Sequence, residues 1–168
     1  TGGNAVVVPG RGFLLNNELT DFDFTPAVPG QADPNLPAPG KRPRSSMSPT
    51  IVLQDGEPLL AVGSPGGATI ITTVLQVLTG RIDRGLSLVE AIAQPRASQR
   101  NAAQTQAEPG FLAQPAAEQL RALGHEFTET AEIGAATGVE RLPDGRWIAA
   151  AEPERRGGGS AAVVLPTP

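Results

Sequence analysis

The chain has 168 residues, 39% of them hydrophobic, and a formal net charge of −4, which fits about one domain with a core. The negative charge argues against nucleic acid as a partner, because a backbone binder needs clustered positive charge. The absence of cysteine excludes disulfides and thiolate chemistry, and the single histidine argues against a zinc site. No apolar run approaches the roughly 20 residues of a membrane span.

The first part of the chain is predicted to consist of short strands and loops. Val6–Val8 and Phe13–Leu15 are typical of strands around a tight turn, and a polar, acidic stretch follows them. Residues 26–43 contain repeated prolines and glycines, so they cannot form a helix or a central strand. Because structureless loops of this length are uncommon in compact domains, we regard this one as a candidate lid.

The rest of the chain is predicted to alternate hairpins with helices. Predicted hairpins span 50–62, around Asp55-Gly56, and 139–150, around residues 143–145. Residues 68–78 are predicted to form a helix that stops at Gly80. A short second helix is predicted to begin at the capping box Ser87 to Glu90 and to end before Pro95, and a third covers 115–123. Residues 96–110 are predicted as a loop, and 125–129 and 161–165 as strands. This order predicts one α+β domain over residues 1–168, with an antiparallel sheet and helices on its faces.

A glycine-rich turn, Gly63-Ser64-Pro65-Gly66-Gly67, joins a predicted strand to a predicted helix. Glycines leave backbone N–H groups accessible, and a helix start adds unpaired N–H donors with a partial positive charge. The corner therefore suits an anion: a phosphate, a carboxylate or the oxyanion of an acyl-transfer intermediate. A phosphate-binding loop is disfavoured because no lysine follows these glycines. A turn without a ligand is the alternative that these residues leave open.

Two further polar groups are candidates for binding a ligand. Glu18 and Asp21 are three residues apart, so in a helical turn both carboxylates face one side and can hold an ammonium group. Ser45 and Ser46 offer adjacent hydroxyl and N–H groups that suit a carboxylate. The alternatives are a solvated acidic loop and a serine loop that hydrogen-bonds to itself. With the glycine corner, these groups match an α-amino acid that carries a reactive acyl group on its side chain.

Three motifs occur in order along nearly the whole chain. They are Leu14-Leu15-Asn16-Asn17-Glu18 with Asp21, Lys41-Arg42-Pro43 with Ser45-Ser46-Met47-Ser48-Pro49-Thr50, and Gly63-Ser64-Pro65-Gly66-Gly67 with Ile70-Ile71-Thr72-Thr73. In sequence and spacing they resemble the small subunit of the γ-glutamyltransferase family. The resemblance implies an N-terminal-nucleophile hydrolase with a four-layer αββα fold, whose precursor cleaves itself into a large and a small subunit. We expect no metal and no other cofactor.

The resemblance also implies a reaction and a role for each candidate residue. A threonine attacks the γ-glutamyl amide of glutathione or a similar donor, and the acyl group then passes to water, an amino acid or a peptide. Glu18 and Asp21 would hold the donor's α-ammonium group, and Ser45 and Ser46 its α-carboxylate. The N–H groups of Gly66 and Gly67 would form the oxyanion hole. The large subunit of the same precursor is the implied partner, and a periplasmic or secreted location is expected.

The sequence departs from the family at its start and after the second predicted helix. The family's small subunit opens with Thr-Thr-His, upstream of the position that matches Thr1, so we expect Thr1 not to be the nucleophile. We therefore expect this chain to be a C-terminal part of the enzyme that is inactive alone, with a substrate-binding asparagine also upstream. Many relatives follow Pro-Arg with an aromatic residue and two histidines, whereas Pro95-Arg96 continues with Ala97-Ser98-Gln99.

Three rival functions stay open. A cephalosporin acylase cleaves a glutaryl amide. This substrate lacks an α-ammonium group, so Glu18 and Asp21 would have no cation to bind. A poly-γ-glutamate hydrolase of the same fold would need an open groove. A non-catalytic remnant that binds glutamate or a partner subunit is the rival from outside the enzymes.

Overall fold

The computed structural model describes residues 3–156 and 158–164, together with all side chains in these ranges except that of Val164. The chain divides into two compact units, the first ending at Ser45 and the second beginning at Ser46. Within the described ranges, no helix is long and apolar enough to cross a bilayer. The organisation of residues 1–168 as a single domain stays a prediction.

The first unit is built mainly from turns and loops. The two predicted strands pair through one antiparallel bridge between Val7 and Leu14, and the Leu15 N–H donates to the Val6 carbonyl at 2.8 Å. A single 3-10 turn, Glu18–Asp21, follows. Residues 26–43 contain neither helix nor strand, as the prolines predict, because proline removes a backbone donor and fixes φ.

A five-stranded antiparallel sheet forms the centre of the second unit. In their order across the sheet, its strands are β1 (Thr50–Gln54), β2 (Glu57–Gly63), β6 (Thr137–Arg141), β7 (Trp147–Ala151) and β8 (Ala161–Val164). Asp55 and Gly56 have φ of 55° and 84°, which suits a two-residue turn between twisted strands. Both predicted hairpins are confirmed, and Leu165 of the predicted last strand lies outside the described residues.

In the ranges that the structure describes, the second unit contains four α-helices: α1 (Ile70–Ile82), α2 (Leu88–Ala93), α3 (Pro109–Leu112) and α4 (Pro115–Ala122). The capping box before α2 is confirmed, since Ser87 Oγ accepts from the Glu90 N–H and Glu90 Oε2 accepts from the Ser87 N–H. Each of these bonds satisfies a donor that has no partner inside the helix. The helix ends at Ala93, just before Pro95.

The prediction that α1 stops at Gly80 is wrong, because the helix continues to Ile82. Gly80 is buried, and a Cβ atom there would lie 3.2 Å from the Cβ of Ala91. The glycine therefore allows α1 and α2 to approach closely. Gly80 therefore serves the packing of two helices. A glycine near the end of a helical pattern looks the same in the sequence whether it ends the helix or allows close packing.

The prediction of a loop over residues 96–110 is also partly wrong. This stretch contains β3 (Ala97–Ser98), β4 (Thr105–Ala107) and the start of α3, and β4 pairs in parallel with β5 (Phe127–Glu129). The predicted strand at 125–129 is confirmed in β5. Strands of two or three residues are too short to show an alternating pattern, so only their partners reveal them.

The two faces of the five-stranded sheet have different environments. Leu60 and Val62 of β2 belong to a buried cluster with Val74, Val77, Leu88 and Ile92 of α1 and α2. On the other face, a row of facing residues crosses all five strands: Ile51, Ala61, Val139, Ala149 and Ala162. These residues line an open apolar groove of about 810 Å³. The unit is therefore a sheet covered by helices on one side and open on the other.

Candidate functional site

Both acidic candidates lie on one turn of the first unit. Glu18 and Asp21 are the first and last residues of the 3-10 turn, whose residues i and i+3 are nearly eclipsed. Asn16 Oδ1 accepts from the Glu18 N–H at 3.1 Å and Thr20 Oγ1 donates to the Asn17 carbonyl at 2.6 Å, which stabilises the turn. Within the described part of the chain, neither carboxylate has a hydrogen bond or ion pair, and both residues are half-buried. The two residues therefore lie on one turn, and their joint binding of a cation stays a prediction.

The two serine candidates fall on either side of the division between the units. Ser45 ends the first unit and is exposed, while Ser46 begins the second and is half-buried. The Ser46 carbonyl accepts from Ser48 Oγ at 3.1 Å. Glu18, Asp21 and Ser45 thus belong to the first unit, and Ser46, Gly66 and Gly67 to the second. The assembly of all six residues into one pocket stays a prediction.

The glycine corner has a conformation that demands glycine. Gly66 has a φ of 140° and a Cβ atom there would lie 2.7 Å from Thr69 Oγ1. Gly67 has a φ of 56° and begins the 3-10 turn that leads into α1. Among the described residues, no acceptor receives a hydrogen bond from either N–H group. Two adjacent free donors at the entrance of a helix are suited to a developing negative charge.

A second segment, Ile133–Ala136, packs against this corner. The Cα of Gly134 would lie 3.2 Å from a Cβ at Gly66, and Gly134 itself has a φ of 67°. A Cβ at Gly134 would lie 2.5 Å from Thr73 Oγ1 and 2.8 Å from Ser64 Oγ. The Ala135 N–H donates to Ser64 Oγ at 3.0 Å, and that hydroxyl donates to the Pro65 carbonyl at 2.6 Å. The segment therefore packs against both the glycine corner and Thr73 of α1.

Four buried charged residues hold the segment in turn: Arg96, Glu108, Glu152 and Arg155. Arg96 Nη2 lies 2.8 Å from Glu152 Oε2, and Arg155 pairs with both glutamates. Glu108 Oε1 accepts from the Ile133 N–H at 2.7 Å, and Arg96 Nη1 donates to the Ile133 carbonyl at 2.8 Å. Both polar groups of the Ile133 backbone are thus bound by this buried ion cluster.

The charge state of Glu108 follows from opposing effects. Burial disfavours the ionised carboxylate, but hydrogen bonds from Arg155 and from the backbone N–H groups of Ile133 and Arg96 outweigh burial. The pKa of Glu108 is therefore lowered from its ordinary value of 4.5. The cluster contains two cations and two carboxylates, so it is formally neutral.

No sequence pattern predicted the residues that support the corner. Ser64 lies within the third family motif but has no predicted role, and neither Ile133–Ala136 nor the buried ion cluster was predicted. Gly134 offered a weak signal as a glycine in a short irregular segment. Nothing local identifies Arg96 or Glu108 as buried, because the Ile133 backbone that both of them bind is 37 residues from Arg96 and 25 from Glu108. In the ranges that the structure describes, no cluster of three or more metal-ligating side chains is present.

Comparison with known proteins identifies the family. Residues 1–162 match the family model of gamma-glutamyltranspeptidase. The glutathione hydrolase proenzyme of Bacillus subtilis (strain 168) is 44% identical over 133 residues, which cover 79% of this chain and 22% of that protein. The chain therefore spans about a fifth of the length of this curated relative.

Solved structures support the same assignment. The W525D mutant of gamma-glutamyltranspeptidase from Pseudomonas nitroreducens matches with a TM-score of 0.77 and 34% identity, over 99% of this chain and 89% of that chain. The cephalosporin acylase from Bacillus halodurans matches with a TM-score of 0.72 and 28% identity, over 96% of this chain and 29% of that one. The expected N-terminal-nucleophile hydrolase fold of the α+β class is confirmed. By its sequence and its fold, the chain belongs to the gamma-glutamyltranspeptidase family.

Proposed function

We propose that this chain supplies the donor-binding and oxyanion-hole part of a γ-glutamyltransferase that also hydrolyses glutathione. A threonine hydroxyl from a preceding region attacks the γ-carbonyl of the donor, and the amine of the donor leaves with a proton. The resulting ester is then cleaved by water or by the amine of an amino acid or peptide. The threonine belongs to the segment of the small subunit that precedes the position of Thr1, and the large subunit of the same precursor is the partner of this chain.

Each candidate group has one role in this reaction. The carboxylates of Glu18 and Asp21 bind the α-ammonium group of the donor, and Ser45 and Ser46 bind its α-carboxylate. The N–H groups of Gly66 and Gly67 stabilise the negative charge that forms on the carbonyl oxygen. The observation that carries the γ-glutamyl assignment is a pair of half-buried carboxylates on one 3-10 turn, neither of which has a hydrogen bond or ion pair among the described residues. A ligand cation can therefore bind both carboxylates without displacing a described protein partner.

Hydrolysis of a glutaryl amide is the second candidate, and the similarity to a cephalosporin acylase favours it. The two substrates differ in one group, because a glutaryl donor has the terminal carboxylate but no ammonium. The carboxylate pair would contribute nothing to a glutaryl donor. Binding of the two donors therefore separates the two functions.

The test uses the complete enzyme, with the nucleophile-bearing region present, and two anilide donors, γ-glutamyl and glutaryl. We expect the double variant Glu18→Gln, Asp21→Asn to raise the KM for the γ-glutamyl donor at least about tenfold, because two charged contacts to the ammonium are lost. The KM for the glutaryl donor should stay within about twofold, because this donor has no ammonium group for the two carboxylates to contact.

The matched control is Glu57→Gln, a neutralised carboxylate at the exposed start of β2. It should leave both KM values unchanged. Equal effects of the double variant on the two donors would contradict an ammonium site. Preference of the unaltered enzyme for the glutaryl donor would favour the acylase function, and no turnover of either donor would favour the non-catalytic alternative.

A further inference from the structure

Asn35 lies in the Pro/Gly-rich loop, residues 26–43, and is half-buried. Its side-chain amide nitrogen donates to the Asp21 carbonyl at 2.7 Å and to Asp23 Oδ2 at 3.0 Å. Its amide oxygen accepts from the Arg44 N–H at 2.9 Å. One neutral side chain therefore uses both donors and its acceptor to join two segments that are distant in sequence.

The backbone of Asn35 reinforces this connection. Its carbonyl accepts from the Asp23 N–H at 3.1 Å, and its N–H donates to Asp33 Oδ1 at 2.8 Å. Asp33 Oδ2 accepts from the Ala27 N–H at 3.1 Å, which ties the beginning of the loop to the same point. Arg44 and Asp23 add a direct ion pair at 3.1 Å. The middle of the loop is thus bound to the segment 21–23 on one side and to Arg44 on the other.

Asn35 bonds to the backbone of Asp21 itself and to the residue immediately before Ser45. In the proposed function, Asp21 binds the α-ammonium group and Ser45 the α-carboxylate of the donor. These two substrate groups are attached to one carbon atom, so their separation is fixed. A site that binds both must hold its own groups at a matching separation, because small misplacements lose much of the benefit of orientation.

We propose that Asn35 is a positioning residue that sets the separation of Asp21 and Ser45, and thereby selects ligands carrying an ammonium and a carboxylate on the same carbon. This inference rests on the proposed function. In this proposal the Pro/Gly-rich loop is not a freely moving lid. It fixes the positions of the residues that bind the α-ammonium and α-carboxylate groups.

The experiment compares three competitive inhibitors of the complete enzyme: L-glutamate, glutarate and 4-aminobutyrate. L-Glutamate has both groups, glutarate lacks the ammonium, and 4-aminobutyrate lacks the α-carboxylate. The variant Asn35→Asp keeps the shape and the acceptor for Arg44 but replaces the donor to Asp21 with an oxygen. We expect its Ki for L-glutamate to rise about tenfold, whereas the Ki values of the other two inhibitors stay within about twofold. A ligand with only the ammonium or only the α-carboxylate can move with the one protein group that binds it, so it does not depend on the separation of Asp21 and Ser45.

The kinetics of a γ-glutamyl anilide give a second measure, with a raised KM and a kcat within about twofold for Asn35→Asp. The matched control Lys41→Met removes another hydrogen bond of the same loop, from Lys41 Nζ to the Leu36 carbonyl at 2.8 Å. It should leave all three Ki values unchanged. If Asn35→Asp does not fold, Asp23→Ala removes one acceptor of Asn35 and should shift the Ki of L-glutamate in the same direction by a smaller factor.

The outcomes separate this inference from the proposed function. If the unaltered enzyme binds glutarate as tightly as L-glutamate, the ammonium site and the proposed function both fail. If it prefers L-glutamate but Asn35→Asp changes all three Ki values equally, or none, the positioning role is wrong. A fall in thermal stability with unchanged Ki values would assign Asn35 a purely structural role and overturn the inference.

Discussion

At the scale of single residues, the corner depends on positions where a side chain cannot fit. Gly66 and Gly134 meet across a gap that leaves no room for a Cβ atom, and both have positive φ. The local sequence identified Gly66 and Gly67 because they follow a strand and precede a helix. It did not identify Gly134, since a Cβ there would clash with Ser64 and Thr73, which are about sixty or more residues earlier.

Replacement of Gly134 by alanine should therefore act on the proposed oxyanion hole. The added Cβ would push Ser64 and Thr73 away and tilt the Gly66 and Gly67 N–H groups. We expect kcat of the complete enzyme to fall by about 10²–10³, the loss typical of one oxyanion donor, with a much smaller change in KM. Steady-state kinetics with a γ-glutamyl anilide measure both parameters.

The matched control is Gly145→Ala, in the turn between β6 and β7. Gly145 has a φ of 83°, but a Cβ atom there would have no other atom within 4 Å, so this variant adds backbone strain of about 1–2 kcal/mol without a clash. It should lower the melting temperature and spare kcat. A Gly134→Ala enzyme with full kcat would show that the segment Ile133–Ala136 does not support the corner.

At the scale of elements, the buried ion cluster connects segments that the sheet does not. Arg96 follows α2, Glu108 precedes α3, and Glu152 and Arg155 follow β7. Arg96 directly precedes the departure from the family pattern at Ala97-Ser98-Gln99. It is 1% exposed and donates hydrogen bonds to the Ile92 and Ile133 carbonyls. Loss of one member of such a cluster leaves uncompensated buried charge, which is strongly destabilising.

The variant Glu108→Gln should destabilise the protein by about 3–5 kcal/mol at neutral pH. Because the folded pKa of Glu108 is lowered, its contribution to stability is present above the ordinary pKa of 4.5 and is lost as the pH falls through the folded pKa. We therefore expect the difference in melting temperature between the unaltered protein and the variant to shrink below about pH 4.5. Thermal unfolding monitored by circular dichroism across the acidic and neutral pH range measures it.

The exposed pair of Arg121 and Glu118 provides the control. Its atoms lie 3.2 Å apart, but the Glu118 side chain is 80% exposed. Surface pairs of this kind contribute about 0–1 kcal/mol, so Glu118→Gln should change the melting temperature little at any pH. A pH-independent difference for Glu108→Gln would contradict the assigned charge state.

At the scale of the whole molecule, the described residues place helices on one face of the second unit's sheet and none on the other. The row from Ile51 to Ala162 on the other face is apolar, and Ile51 is 69% exposed. An apolar face of this kind marks a surface that is covered by another chain or segment. The proposed occupant is the larger region of the precursor, as in the family's four-layer fold.

The purified chain alone should accordingly bind a hydrophobic dye and show no turnover of a γ-glutamyl anilide. We expect the double variant Ile51→Lys, Val139→Lys to lower dye fluorescence, because it places two charges in the apolar groove. Ile71→Lys is the control, since Ile71 is 52% exposed on α1, away from the groove. Turnover by the chain alone would contradict the proposal that the nucleophilic threonine lies in the preceding segment of the small subunit.

The sequence by itself determined the hairpins, the long helix, the capping box and the glycine corner, because each depends on neighbours within a few residues. It also placed Glu18 and Asp21 on one turn, since their spacing matches a helical repeat. Only the tertiary structure decided the packing role of Gly80, the small sheet of β3, β4 and β5, and the buried ion cluster. The bracing by Asn35 belongs with them. All of these depend on contacts between residues distant in the chain, and such contacts leave no periodic pattern for a sequence to display.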